Sequence, residues 1–147
     1  MIKLFSAFML FALLMMSSIS LAEGPKKSPD SKPPSNAKVF FANLKDGQTI
    51  PTKFKVQMGL EGMKLRNASE DIDDKMTGHH HILINKGFVP EGQAIPADET
   101  HIHFGKSQSE AELNLKPGNY TLTLQLADGG HRSYGEKLSS TIKVTVK

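Results

Sequence analysis

From Lys38 onwards, apolar and polar residues alternate with a period of two. Phe54, Val56, Met58 and Leu60 are interleaved with Lys55, Gln57 and Gly59, and Tyr120, Leu122, Leu124 and Leu126 with Thr121, Thr123 and Gln125. Ala111, Leu113 and Leu115 repeat the pattern, as do Ile142, Val144 and Val146. Successive side chains of a β-strand point to opposite faces, so each segment predicts a half-buried strand. Val39-Phe40-Phe41 opens the series, and the stretches near 80–86 and 101–104 add two further strands. Turn residues separate them: Asp46-Gly47, Pro117-Gly118 and Asp128-Gly129-Gly130. No segment of this region shows a 3.6-residue period, and none repeats another. About seven short strands joined by turns predict an all-β fold, an immunoglobulin-like β-sandwich.

The pattern also sets the boundaries. Residues 1–22 read as a signal peptide. Lys3 is the positive start, Leu4 to Met16 is almost wholly apolar, and Ser20-Leu21-Ala22 places small residues where a signal peptidase cuts. The apolar run is too short to favour a membrane anchor, and no later segment predicts a membrane span. Residues 23–36 (EGPKKSPDSKPPSN) are rich in Pro, Ser and Lys and predict a flexible spacer, because they hold too little apolar surface to offset ordering entropy. Residues 37–147 form the β-sandwich domain. The expected location is periplasmic or secreted.

Charge and cysteine content narrow the function. The chain has 18 Lys and Arg against 15 Asp and Glu. Lys3, Lys26, Lys27 and Lys32 all precede the domain, which leaves the domain itself nearly neutral. It carries no basic stripe with interleaved aromatics, so no nucleic-acid partner is expected. The chain contains no Cys. An exported domain of this kind must rely on its core rather than on disulfides, and lipid attachment through Cys, thiolate metal ligands and cysteine catalysis are excluded. No Gly-x-Ser-x-Gly occurs, so a serine hydrolase has no support.

The chemistry that remains is histidine. Five of the six His fall in two clusters, His79-His80-His81 before Ile82-Leu83-Ile84, and His101-Ile102-His103-Phe104. With Ile82 and Ile84 turned into the core, His79 and His81 share the opposite face, and His80 lies on the core side. With Ile102 and Phe104 inward, His101 and His103 share an outward face. Same-face neighbours on a strand stand about 6.7 Å apart, close enough for two imidazoles to lean onto one ion. Leu83 shares parity with His79 and His81, so the alternative is a central strand buried on both sides, with the triple His at its fraying end. Imidazole-rich, thiolate-free sites suit Cu(II), Zn(II) or Ni(II), with Cu(II) bound most tightly. The plain structural reading is that these histidines only hydrogen-bond to strands and loops.

Two other features have weaker claims. Met76, three residues before His79, could offer a thioether to Cu(I). Glu70, Asp71, Asp73 and Asp74 form an acidic run in the long polar loop 61–77, but without the spacing or glycine of a Ca²⁺ loop, so a solvated loop is expected.

The chain resembles an exported bacterial family known as domain of unknown function 4399. The resemblance runs through Asp46-Gly47, Gly59 to Met63, Thr77-Gly78-His79-His80-His81, Ile95-Pro96-Ala97-Asp98, His101 to Gly105, and Glu110 to Gly118. It implies a further histidine in the loop after the long penultimate strand, a place that His131 fills, whereas a second loop histidine of the family is absent near Ser133-Tyr134. His-Ile-His-Phe-Gly is similar to the copper-ligand strand of Cu,Zn superoxide dismutases. However, no disulfide can form here and no long zinc loop is evident. Small exported copper carriers are a closer analogy, at the level of fold alone.

The sequence therefore predicts a binding protein rather than an enzyme: an exported β-sandwich holding Cu(II), or alternatively Zn(II), through His79, His81, His101 and His103, with His80 and His131 as further ligands or supporting partners. Affinity should fall below about pH 6, as protons compete for imidazole. The alternative is a cell-envelope interaction module whose partner is another envelope protein and whose histidines are structural.

Overall fold

The computed structural model describes residues 32–147. The signal-peptide reading and residues 23–31 of the spacer lie outside the described residues. The domain is all-β and sandwich-like, with nine strands among the described residues: β1 (Lys38–Phe41), β2 (Gln48–Ile50), β3 (Lys53–Glu61), β4 (Lys64–Leu65), β5 (Thr77–Ile84), β6 (His101–Phe104), β7 (Glu110–Asn114), β8 (Gly118–Ala127) and β9 (Ser139–Val146). The two beyond the expected seven are the short β2 and β4. Each runs parallel to a longer strand, β2 along β9 and β4 along β5. Two or three residues have no readable period, so only their partners reveal them.

The smaller sheet has the order β1-β3-β7, and the larger the order β2-β9-β8-β5-β4, with β6 also on β5. β8 occupies one edge of β5, pairing from His79 to Ile84. The other edge is shared by β4, at Thr77 and Gly78, and by β6, from His80 to Leu83. This makes β5 a central strand.

The core lies between the sheets. β3 contributes Phe54, Val56 and Met58 from its alternating inner side, and its outer side stays exposed. Ile82, Leu122, Leu124, Leu126, Ile142, Val144 and Val146 face them from the larger sheet, joined by Leu138 of the short 3₁₀ turn Glu136–Leu138. Full burial of such a side chain contributes about 1.5–3 kcal/mol each, the main force holding the sheets together.

β5 differs from β3 in one respect: all eight of its residues are buried. The loops following β5 and β8 close over its outer side. Leu83, Ile95 and Ala127 form a second small apolar cluster there, with Val89 packed against it. Gln125 of β8 fastens this cover. Its side chain accepts a hydrogen bond from the Val89 N–H at 2.8 Å and donates to the Val89 carbonyl at 2.9 Å and Ser133 Oγ at 2.7 Å. Thr123 Oγ1 donates to the Lys86 carbonyl at 2.8 Å. The polar residues of β8's outer side thus satisfy loop backbone instead of meeting water.

Candidate metal centre

β5 and β6 are antiparallel neighbours, and their register sets His81 directly opposite His103. His79 lies two residues along β5 on the same face. A fourth ring comes from the turn between β8 and β9, where His131 has φ of +63°. This left-handed backbone costs a non-glycine residue about 1–2 kcal/mol. The four rings form one cluster. Centroid separations are 4.8 Å for His79–His81, 5.0 Å for His79–His103, 4.9 Å for His79–His131, 5.1 Å for His81–His103, 4.8 Å for His103–His131 and 6.0 Å for His81–His131.

Nitrogens, not carbons, meet at the centre. Nε2 of His79 and Nε2 of His81 are 3.0 Å apart, and Nε2 of His131 and Nε2 of His103 are 3.2 Å apart. A ligand nitrogen from each of His79, His81 and His103 lies within 4.8 Å of the others. His79 and His81 are fully buried, His131 is half-buried and His103 is exposed. The group therefore has an inner pair on the central strand and an outer pair at the surface.

Electrostatics keeps the inner pair neutral. Burial first, and the neighbouring imidazoles with it, lower the His79 pKa to about 4 and the His81 pKa to about 2. His103 is lowered by partial burial and by His131. Nδ1 of His79 and Nδ1 of His81 are buried with no hydrogen-bond partner among the described residues. In each Nε2 pair one ring donates and the other accepts, so in the metal-free cluster one Nε2 of each pair carries the proton and the other supplies the lone pair that receives it.

The remaining two histidines go elsewhere. His101 is on the same face of β6 as His103, but it stands opposite Leu83. Its Nδ1 faces Asp98 Oδ1 at 2.8 Å, beside Thr100, whose N–H and hydroxyl both donate to that oxygen. These hydrogen bonds, that of His101 first, hold the Asp98 carboxyl well below the usual carboxylate range. His101 makes none of the ring contacts that unite the four. His80 points the other way, into the core between its register partners Phe104 and Leu126. Both of its ring nitrogens lack hydrogen-bond partners among the described residues, and burial lowers its pKa to about 4.

Two expectations change accordingly. The face of His79 and His81 is not solvent-exposed, because the covering loops bury it. The triple His also sits within β5 rather than at a fraying end. Met76 lines a cleft with Gly62, Met63, Lys64, Arg66, Asp74 and Thr77, a lining that includes no histidine.

Sequence reasoning passed over the residues that build the His131 turn. Asp128 is buried, and its Oδ1 accepts hydrogen bonds from the N–H groups of Gly130 and Arg132, both at 2.9 Å. Its Oδ2 accepts from Lys75 Nζ at 2.7 Å and Arg132 Nε at 2.8 Å. Burial raises the Asp128 pKa, but the Lys75 and Arg132 bonds outweigh it and hold the group ionised. The only sequence signal was Asp128-Gly129-Gly130, read as a strand break.

No helix among the described residues is long and apolar enough to cross a membrane. No curated protein matches the sequence. The X-ray structure of the endo-beta-1,4-mannanase from Thermotoga petrophila aligns over 76% of this chain at 13% identity, with a TM-score of 0.43. The chain covers 20% of that protein, and a likeness this slight bears on neither fold nor activity. Residues 56–147, which include all six histidines and run from mid-β3 to the end of the chain, match the family described as Domain of unknown function (DUF4399), and the chain belongs to that family.

Proposed function

We propose that this protein is an exported metal-binding β-sandwich, non-enzymatic, whose site is formed by His79, His81, His103 and His131. The observation that carries the reading is two adjoining pairs of ring nitrogens, at 3.0 and 3.2 Å, with ligand atoms of His79, His81 and His103 all within 4.8 Å of one another. An ion about 2.0–2.1 Å from each imidazole nitrogen sets adjacent nitrogens about 2.9 Å apart at right angles and about 3.4 Å apart at the tetrahedral angle. Both spacings fall in that range. Nitrogens on opposite sides of such an ion would be about 4.1 Å apart, so the 4.8 Å spread closes by less than about 1 Å.

The donor set points to the class of metal. Four imidazoles without thiolate suit Cu(II) or Zn(II), and Cu(II) is held more tightly in the divalent series. A periplasmic or secreted setting agrees with the leader-like residues 1–22. Neutral, partly desolvated nitrogens are ready to ligate at neutral pH without first releasing a proton.

The test is titration of untagged, chelator-stripped protein with Cu(II) and with Zn(II), following nitrogen couplings by electron paramagnetic resonance for copper. A His79→Ala/His81→Ala variant should lose high-affinity binding, while His101→Ala should keep it. Equal affinity in wild type and the double variant overturns the site. Loss in His101→Ala equal to that in the double variant returns the ligand set to the one expected from strand parity alone.

A further inference from the structure

The fourth imidazole is the one that strand geometry does not place. His79 and His81 are fixed by β5 and His103 by its pairing with β5, but His131 sits in a turn in left-handed backbone. What holds that turn is specific. Its ends are closed by the His131 N–H donating to the Asp128 carbonyl and the Asp128 N–H donating to the Arg132 carbonyl, each at 2.9 Å. Within it, the Asp128 carboxylate takes the N–H groups of Gly130 and Arg132, which flank His131 on either side.

The same carboxylate ties the turn to the loop between β4 and β5. Lys75 Nζ reaches Asp128 Oδ2, Arg132 donates to the Ile72 carbonyl at 3.0 Å, and the Ser69 N–H donates to the Gly129 carbonyl at 2.8 Å. Contact there is tight: a Cβ on Gly129 would come 2.5 Å from the Glu70 carbonyl oxygen. The acidic stretch around 70–74 therefore supplies backbone that buttresses the His131 turn.

We infer that Asp128, acting with Lys75 and Arg132, is the positioning residue of the metal centre: it folds the 128–132 turn so that His131 meets His103 and His79. The inference rests on the reading of the four imidazoles as a metal site. Asp128 does not ligate. Both its oxygens are engaged by the turn and by two cations, and its effect on metal passes chiefly through His131, with a smaller direct influence of its charge on His79. Partners that orient a ligand typically change metal affinity by about 10–100-fold.

Competition titrations with Cu(II) on wild type, Asp128→Ala, His131→Ala and the double variant form a cycle. Asp128→Ala and His131→Ala should each weaken binding by about 10–100-fold. The double variant should be scarcely weaker than His131→Ala alone, because removing the positioner of an absent ligand costs little further. Additive losses, or an unchanged affinity in Asp128→Ala, overturn the inference. Asp128→Asn, which keeps an oxygen for the Gly130 and Arg132 N–H groups, should fall between, and it serves if the alanine variant fails to fold. A second readout needs no metal. Ring-to-ring nuclear Overhauser contacts of His131 with His79 and His103 should be present in the chelator-stripped wild type and lost in Asp128→Ala. Their survival there overturns the inference whether or not copper binds. Absence of copper and zinc binding by wild type, with that loss of ring contacts intact, instead defeats the metal reading and leaves Asp128 as the organiser of the turn.

Discussion

The outer face of the β1-β3-β7 sheet meets water, whereas the β5 and β8 part of the larger sheet's outer face lies under two loops. On the first, Lys38 pairs with Glu61, Lys53 with Glu112 and Lys55 with Glu110, all at 2.7–2.9 Å and all with side chains more than half exposed. Such pairs contribute about 0–1 kcal/mol each. On the second, the equivalent positions hold Thr123, Gln125, His79 and His81, every one buried. Polar side chains that would be interchangeable in water become specific there, because each buried donor or acceptor needs a defined partner. Gln125 finds its partners in the loop backbone. His79 and His81 have only each other and their neighbouring rings.

That contrast can be broken most severely at the fastening of the cover. Gln125→Leu removes the side chain that clasps the loop after β5 and strands the Val89 N–H, while the Val89 carbonyl keeps its bond from Ser133 Oγ at 2.7 Å. A loss of about 1–3 kcal/mol is expected, the cost of one orphaned buried group. Urea denaturation measures it, and hydrogen exchange should show the Val89 amide opening first. An unchanged unfolding midpoint together with unchanged Val89 exchange would mean that the cover holds without Gln125.

An intermediate effect is expected from pH in metal-free protein. His79, His80 and His81 titrate near the ordinary 6.5 when unfolded, but at about 4, 4 and 2 in the folded chain. Between pH 6.5 and 4 the unfolded state binds protons that the folded state refuses. Stability is therefore full above pH 6.5 and falls as pH drops from 6.5 toward 4. Urea midpoints at pH 7, 6 and 5 should decline in that order, and a flat series would show that the buried imidazoles accept protons in place.

The smallest effect belongs to the solvated face. Lys55→Ala or Glu110→Ala should barely move the urea midpoint, less still at high salt, and should leave copper affinity unchanged. A shift in metal affinity from either substitution would show that the two outer faces are coupled through the core.

Much of the fold could be read locally. In β3 the alternation of Phe54, Val56 and Met58 with Lys55 and Gln57 reports both the strand and its exposed side, since nothing covers that side. In β8 the same alternation reports the strand but misleads about exposure: Thr123 and Gln125 look solvated and are buried beneath the loop after β5. The candidate site divides in the same way. Parity grouped His79 with His81 and His101 with His103. It could not show that β6 pairs with β5 in a register that brings His103, not His101, beside His81. Likewise, His131 was noticed from family resemblance, and no local pattern reveals the turn that delivers it.

From its residues alone, this chain is committed to period-two strands, an aliphatic core and imidazoles concentrated on one parity of two strands, because side-chain alternation follows from the geometry of each strand by itself. Which imidazoles meet was decided by tertiary structure. That outcome depends on strand order, on the β5–β6 register and on a turn held by Asp128 and Lys75, residues 53 positions apart. Contacts between residues so distant in sequence form only once loops have closed and sheets have packed, so no short stretch of sequence encodes them.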